Sequence, residues 1–377
     1  MVKKLALLSL LLIFAAATVL FAGCTGTDNT TPATGDGSGT TETITITDSL
    51  GREVTVPKNP DSVVCSGSGT LRLLTYLEAQ DKIVGVDDIE IEEQEFEGRP
   101  YALANLQFKD YPLIGEYRGA DDPEKIIACN PEVIFKSNPT SASEIDELQD
   151  KTGIPVVALT YDSLSVNRED LYQSLTIMGE VMGKEDRAEE VIEFFDTNIA
   201  DLNTRTESIT EGDKKSTYVG GISYRGPHGF QSTEPSYPPF VFVNAYNVAG
   251  EMGTEHADVA KEKIIEWNPD VLFVDLGTLQ TSPSAIDELK TDESYQTLDA
   301  VKSDEVYGVL PYNYYSSNFG SVIADAYYVG SVLYPDQFAD IDPAEKADEI
   351  YTFLVGEPVF DELNAYYDNL GFTKIQL

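Results

Sequence analysis

The sequence is poor in the residues that build metal and redox centres. It has only two histidines, His228 and His256, and three cysteines in 377 residues. Zinc sites are typically built from three or four closely spaced His, Cys or carboxylate ligands, and no His/Cys cluster with such spacing occurs here. We therefore expect no metal site, no cofactor and no enzyme activity that would depend on such a cluster.

Cysteine is also too scarce for a disulfide framework. Besides Cys24, only Cys65 and Cys129 are present, both in the first half of the chain. We expect them to be small buried hydrophobic residues. A disulfide between them is the alternative, because pairing cannot be deduced from sequence alone.

Basic residues are few, with 25 Lys and Arg against 65 Asp and Glu, so the formal net charge is −40. Residues 1–23 contain two Lys and no acid, which leaves −42 on the remainder. Nucleic-acid binding requires a basic face, so this class of partner is disfavoured. Direct docking onto anionic lipid is disfavoured for the same reason.

One long hydrophobic run is present, and it lies at the N-terminus. Lys3 and Lys4 precede the apolar segment 5–21, which ends at small residues before Cys24. This pattern is typical of a secretory signal, so we assign 1–23 as a signal peptide. The Phe-Ala-Gly-Cys sequence resembles a lipobox, which implies a lipid on Cys24 and anchoring at the outer face of the cell membrane. The polar segment 24–43 is predicted to be a flexible linker.

From residue 44 onward, short apolar runs alternate with helical stretches. A hairpin over 44–56 comes first, and the following strands separated by helices indicate parallel α/β units. We assign 44–166 as an N-terminal α/β lobe, with strands predicted at 62–65, 83–86, 112–115, 132–135 and 155–159.

The hydrophobic period then becomes helical over about 168–203, with a predicted break near Gly183. We assign 167–206 as a connecting helix and 207–377 as a C-terminal α/β lobe with closing helices. In that lobe strands are predicted at 216–222, 271–274 and 306–309, and helices at 240–249, 321–333, 343–354 and 358–370. The predicted fold is therefore α/β, with two similar lobes that have mostly parallel central sheets and are joined by a long helix.

An internal repeat supports two lobes of like topology. Residues 124–135 match residues 262–273 at most positions without a gap, at an offset of 138 residues. Each copy reads as a helix, an Asn-Pro break and a buried strand, because proline disfavours helix at the residue before it. Matching units on either side of a long helix indicate a duplicated architecture.

This arrangement resembles the periplasmic-binding-protein family for iron–siderophore, haem and cobalamin uptake, in the class with a helical backbone. The opening segment 48–57 is similar to the entry hairpin of that family. The resemblance implies that Glu124 and Glu262, one per lobe, dock onto the permease dimer of an ABC importer. Their equivalence within the repeat supports this assignment, and paired charges can orient a docked partner. The alternative is that both are acids favoured at helix starts.

Ligands of open α/β sheets bind at the carboxyl ends of strands, which two facing lobes would bring together. The loop 224–232 is our preferred specificity loop. Arg118 and Arg225 are expected to pair with an anionic ligand, against the alternative of solvated surface arginines. The tyrosines at 312, 314 and 315 would stack on a ligand or cap the sheet. The predicted ligand-binding residues are Ser68, Tyr117, Arg118, Asn138, Tyr161, Tyr224, Arg225, His228, Tyr312 and Tyr314.

The resemblance implies a monomeric extracytoplasmic solute-binding protein that delivers an iron chelate, siderophore or haem-like, to an ABC importer. A corrinoid-binding protein of the same importer class and a ligand sensor on the same scaffold are the alternatives. An enzyme on this scaffold would need more Cys and His than the chain contains.

Overall fold

A computed structural model describes residues 42–118 and 121–377, so the predicted signal peptide, Cys24 and nearly all of the predicted linker lie outside the described residues. The strands are β1 (Thr43–Thr47), β2 (Glu53–Pro57), β3 (Val63–Ser66), β4 (Ile83–Asp87), β5 (Leu113–Gly115), β6 (Val133–Ser137), β7 (Val156–Leu159), β8 (Ser216–Gly220), β9 (Ser232–Thr233), β10 (Tyr246–Asn247), β11 (Ala257–Asp258), β12 (Val271–Asp275) and β13 (Val306–Val309). The helices are α1 (Thr70–Tyr76), α2 (Asp88–Ile91), α3 (Pro100–Ala104), α4 (Pro123–Cys129), α5 (Ala142–Thr152), α6 (Arg168–Met182), α7 (Glu185–Thr206), α8 (Pro238–Phe242), α9 (Lys261–Trp267), α10 (Ala285–Thr291), α11 (Asp299–Lys302), α12 (Phe319–Leu333), α13 (Pro343–Val355) and α14 (Phe360–Ala365).

Two parallel sheets organise these elements. The first has the strand order β5-β4-β3-β6-β7, and the second has the order β10-β8-β12-β13. The central strands β3, β6 and β12 and the edge strand β7 are buried along their whole length. Continuous burial agrees with the apolar runs at the start of these strands, because helices cover both faces of a parallel sheet. The predicted α/β fold with two similar, mostly parallel sheets is confirmed.

The predicted entry hairpin is also present, as the antiparallel pair β1 and β2. Its turn is held by the buried Asp48, whose Oδ1 accepts hydrogen bonds from the backbone N–H groups of Leu50 at 3.0 Å and Arg52 at 2.9 Å. The backbone N–H of Ser49 donates to the carbonyl of Ala158 at 3.0 Å, which ties the hairpin to β7.

The repeated segments have the same local structure. Helices α4 and α9 each end at an asparagine in the left-handed region, Asn130 with φ 52° and Asn268 with φ 41°, followed by proline and a central strand. Asparagine tolerates this conformation at a helix end, and proline prevents the helix from continuing. In each segment an acid follows the proline. The Glu132 carboxylate accepts a hydrogen bond from the backbone N–H of Ser62, and the Asp270 carboxylate accepts one from the backbone N–H of Ser216. Both bonds hold the start of the neighbouring strand.

The long helical segment consists of α6 and α7, with the break at the predicted position. Gly183 ends α6 with φ 64°, a conformation that strains side chains other than glycine, and a Cβ there would collide with the side chain of Asn59. Helix α7 packs on the second half of the chain, where the hydroxyl of Tyr327 donates to Asn198 at 3.1 Å and Asp201 at 2.8 Å. The helix prediction is confirmed, while the lobe boundaries 44–166, 167–206 and 207–377 remain predictions.

The predicted helix over 240–249 is wrong beyond its first turn. Helix α8 ends at Phe242, Asn244 takes a positive φ of 52°, and Tyr246–Asn247 forms the edge strand beside β8. The segment is rich in Val, Tyr and Asn, which favour strand and turn over helix. The last closing helix is also shorter than predicted, because α14 ends at Ala365.

Cys65 and Cys129 are both free thiols, so a disulfide between them is ruled out. Cys65 is buried in the main core, whereas Cys129 is partly exposed and packs with Val64 and Ile134 in a second apolar cluster. Successive residues of a strand point to opposite faces, so the two thiols lie on opposite faces of the first sheet.

Over residues 42–118 and 121–377, no helix has both the length and the hydrophobicity needed to cross a membrane.

Candidate functional site

A cavity of about 260 Å³ lies where the carboxyl ends of strands from both sheets meet, and we call it the arginine pocket. The loops after β4 and β5 contribute residues from the first sheet, and the loops after β8, β12 and β13 contribute residues from the second. This is the position expected for a ligand of open α/β sheets. Its lining residues are Ile89, Gln94, Tyr117, Arg118, Ser223, Gly226, Pro227, Gln280, Asn313, Tyr314 and Tyr315.

The charge and hydrogen-bonding groups of the arginine pocket favour an anion. Arg118 is exposed, lies 5.2 Å from the ring centroid of Tyr117, and is the one charged side chain among the described lining residues. The backbone carbonyl of Ser223 accepts from Asn313 Nδ2 at 2.7 Å, but the buried Ser223 hydroxyl has no partner in the part of the chain that the structure describes. A guanidinium can bind carboxylate or catecholate oxygens through paired hydrogen bonds.

Tyrosines form one wall of this pocket. The rings of Tyr117 and Tyr315 meet edge to face with centroids 4.7 Å apart. The hydroxyl of Tyr314 donates to the backbone carbonyl of Phe96 at 2.6 Å, and burial raises the pKa of Tyr314 to about 12. Tyr314 is therefore a neutral phenol at neutral pH. The wall joins the two halves of the chain, because Tyr117 and Phe96 belong to the first and Tyr314 and Tyr315 to the second.

A second cavity of about 220 Å³ adjoins the arginine pocket at Asn313, and we call it the acidic pocket. Three carboxylates line it: Asp162 from the loop after β7, and Glu234 and Glu255 from the second half. Burial raises the pKa of Glu234 to about 7, although its carboxylate accepts a hydrogen bond from Tyr312 Oη at 3.3 Å. Burial also raises the pKa of Asp162, with Glu255 adding like-charge repulsion.

The predicted specificity loop borders both pockets. Its Gly226 and Pro227 line the arginine pocket, while Tyr224 lines the acidic pocket and stacks on His256 with centroids 4.2 Å apart. His228 Nε2 lies 2.8 Å from the carbonyl of Tyr224, so that nitrogen carries the proton and donates. Arg225 is exposed, with its guanidinium 5.3 Å from the ring centroid of Tyr224.

Three predicted ligand residues support the loops of the first sheet. Tyr161 is buried, and its hydroxyl donates to the carbonyl of Ser68 at 2.9 Å. Asn138 Oδ1 accepts from the backbone N–H of Tyr161 at 3.0 Å. Ser68, Asn138 and Tyr161 are absent from the described lining of both pockets.

The predicted ligand residues that do line a pocket are Tyr117, Arg118 and Tyr314 in the arginine pocket, and Tyr224 and Tyr312 in the acidic one. Sequence reasoning missed the carboxylates Asp162, Glu234 and Glu255. Asp162 follows β7 directly, and this position is a signal that could have identified it. Glu234 and Glu255 lie beside β9 and β11, two-residue strands too short to recognise.

The predicted docking acids lie on the surface. Glu124 and Glu262 are both exposed in the first turns of α4 and α9, and neither forms an ion pair within the described residues. Residues 42–118 and 121–377 also contain no group of three His, Cys, Asp or Glu side chains arranged to hold a metal ion.

A family model described as "Periplasmic binding protein" matches residues 63–312. The molybdate-binding protein MolA of Haemophilus influenzae is 24% identical, over 81% of this chain and 89% of its own. The petrobactin-binding protein YclQ of Bacillus subtilis is 26% identical, over 84% and 94%. The Fe(3+)-citrate-binding protein YfmC of Bacillus subtilis is 24% identical, over 81% and 89%.

Solved structures of such proteins share this fold. A periplasmic solute-binding protein of Veillonella parvula superposes with a TM-score of 0.70 at 16% identity, covering 87% of this chain and 97% of its own. MolA bound to molybdate superposes with a TM-score of 0.65 at 21% identity, covering 83% and 98%.

Proposed function

This chain belongs to the periplasmic binding protein family, and we propose that it captures a small anionic iron chelate outside the cell membrane and delivers it to an ABC importer. The observation that carries this proposal is the arginine pocket, in which both sheets contribute lining residues and Arg118 is the one charged side chain among the described lining residues. On a chain with a net charge of −40, a cavity of this kind is well suited to hold an anion.

The size of the arginine pocket favours a compact cargo. Its volume of about 260 Å³ lies just below the roughly 300–1,000 Å³ of common ligand pockets. A carboxylate chelate of iron fits this size better than a corrinoid does. The similarity to proteins named for petrobactin and Fe(3+)-citrate supports iron as the metal.

A metal oxyanion is a second candidate cargo. The guanidinium of Arg118 is a donor that suits a tetrahedral oxyanion as well as a carboxylate. The similarity to the molybdate-binding protein MolA supports a metal oxyanion as the second candidate cargo.

A thermal-shift panel tests the cargo class. The purified protein is heated with ferric citrate, a ferric catecholate siderophore, haem, cobalamin or molybdate, each well above the expected dissociation constant. A ligand at 100 times its dissociation constant should stabilise the fold by about 2.7 kcal/mol. Stabilisation by ferric citrate or the siderophore supports the proposal. Stabilisation by cobalamin or molybdate alone would refute an iron chelate as the cargo and identify that compound class instead.

We further propose that Glu124 and Glu262 dock onto basic residues of the permease dimer. Their equivalent positions in the repeat and their exposed side chains support this role. In cells, the double variant Glu124→Lys/Glu262→Lys should lose uptake of the cargo while the purified protein keeps its affinity. The matched control is Glu189→Lys/Glu266→Lys, which reverses the charge of one exposed acid on α7 and one on α9. Loss of affinity in the docking variant would refute this role, and uptake unaffected by deletion of the protein would favour the sensor alternative.

A further inference from the structure

The loop of residues 312–317, which we call the tyrosine loop, follows β13 in the second sheet but is bound by the first half of the chain. The hydroxyl of Tyr314 donates to the carbonyl of Phe96 at 2.6 Å. Tyr315 makes two further bonds, accepting from Arg72 Nη2 at its carbonyl at 3.0 Å and donating from its hydroxyl to Asp87 Oδ2 at 3.3 Å. The loop is therefore a part of the second half that the first half holds in place.

Arg72 is an unusual residue for a protein core. It is 1% exposed, and its Nε and Nη1 have no hydrogen-bond partner within residues 42–118 and 121–377. Its recorded hydrogen bond goes to the carbonyl of Tyr315, across the two halves. Burying a guanidinium with most of its N–H donors unfilled is unfavourable for stability, so stability alone does not account for it.

Asp87 is the second buried ionisable residue at this junction. It is 3% exposed and accepts from the backbone N–H of Gly67 at 2.8 Å as well as from Tyr315, while its Oδ1 has no partner in the described chain. Asp87 is the last residue of β4, and its carboxyl contacts Tyr315, which lines the arginine pocket. Arg72 and Asp87 thus bind the same residue from two sides.

The backbone of the tyrosine loop is strained at the bound residues. Tyr315 and Ser316 have φ values of 55° and 71°, in the left-handed region that non-glycine residues rarely adopt. This conformation is unfavourable for residues other than glycine and persists only where surrounding contacts enforce it. The Tyr315 ring meets the Tyr117 ring at the arginine pocket.

We propose that Arg72 and Asp87 are positioning residues that hold the tyrosine loop in the shape that forms the wall of the arginine pocket. Neither side chain lines that pocket, so each acts through Tyr315. The role rests on the proposed function for its effect on ligand affinity, but the anchoring itself can be measured without ligand.

Hydrogen exchange of the unliganded protein tests the anchor. The reporter is the Asn318 amide, which donates to the carbonyl of Tyr312 at 2.7 Å at the base of the loop. Arg72→Met should raise exchange over residues 312–318 by about tenfold, the effect of losing one charged hydrogen bond. Arg187→Met is the matched control, because Arg187 is also largely buried and donates to a carbonyl, that of Tyr76 at 3.0 Å, away from the loop. It should leave exchange of 312–318 unchanged.

Tyr315→Phe provides a milder variant should Arg72→Met fail to fold, because it removes only the hydroxyl that reaches Asp87. It too should raise exchange of the loop, by a few fold. Unchanged exchange over 312–318 in Tyr315→Phe and in any folded Arg72→Met protein would overturn the proposal.

Ferric citrate is the probe for the functional effect. We expect Arg72→Met to bind it about tenfold more weakly, through faster dissociation, and Arg187→Met to bind it like the wild type. Equal affinity of Arg72→Met and wild type would refute the positioning role. A wild-type protein that does not bind ferric citrate would count against the proposed cargo, and the exchange result would then decide the anchor separately.

Discussion

Glu234 offers the sharpest test of the electrostatics in the acidic pocket. Its carboxyl group is largely buried, near Asp162 and Glu255, and lacks a basic partner among the described residues. Burial raises its pKa from 4.5 to about 7, so ionising it at neutral pH disfavours the folded state. Glu234→Gln removes this charge and keeps an oxygen that can accept the hydrogen bond from Tyr312.

The size of the effect follows from the pKa difference. Each pKa unit corresponds to about 1.4 kcal/mol. After an allowance for the exposed part of the side chain, the raised pKa predicts that Glu234→Gln increases the free energy of unfolding by roughly 1–3 kcal/mol at pH 8. Because the folded state binds the proton more tightly than the unfolded state, the wild-type penalty is absent below the unfolded pKa. It grows as the pH rises and is complete above the folded pKa.

Urea unfolding of wild type and Glu234→Gln at pH 5 and pH 8, at one ionic strength, measures this difference. The gain should be below about 1 kcal/mol at pH 5 and reach its full value at pH 8. Glu189→Gln, which removes an exposed acid on α7, should change stability little at either pH. An equal increase in the free energy of unfolding of Glu234→Gln at both pH values, or a decrease at pH 8, would refute the inference that the ionised Glu234 destabilises the fold.

Two further predictions concern the anchor and the connecting helices. The lipid predicted on Cys24 implies that Cys24→Ser moves the protein from the membrane fraction to the soluble exported fraction in a fractionation experiment, since a serine cannot carry it; continued membrane association would contradict that prediction. Gly183→Ala should lower the free energy of unfolding by more than about 1 kcal/mol, because the residue has φ 64° and faces Asn59. Gly212→Ala, where a Cβ would meet nothing closer than 4.0 Å, is its control in the same unfolding assay, and equal losses would argue against strain at the helix break.

Much of the fold could be predicted because its signals are local. Buried parallel strands appear as short apolar runs, and the Asn-Pro pairs mark where α4 and α9 end. The same local reasoning failed at 240–249, where the edge strand depends on pairing with β8. Pairing with a distant strand leaves no periodic signal in so short a segment.

The candidate site was less predictable, because loop position does not determine side-chain direction. Tyr161 follows a strand like a ligand residue, yet its hydroxyl is directed to the carbonyl of Ser68. Arg72 was overlooked among the leucines of α1, although a single arginine in an otherwise apolar helix is a recognisable sign of a buried charge. The acidic pocket needs contacts between distant segments, which the sequence alone does not reveal.

Titration calorimetry with ferric citrate tests most directly whether the arginine pocket holds an anionic chelate. Wild type is compared with Arg118→Gln and with Lys302→Gln, which removes the same charge from an exposed position on α11. Loss of a charged hydrogen bond of about 1.5–3 kcal/mol predicts that Arg118→Gln binds at least about tenfold more weakly than wild type, while Lys302→Gln binds like it. Equal affinities for Arg118→Gln and wild type would contradict the assignment of this pocket.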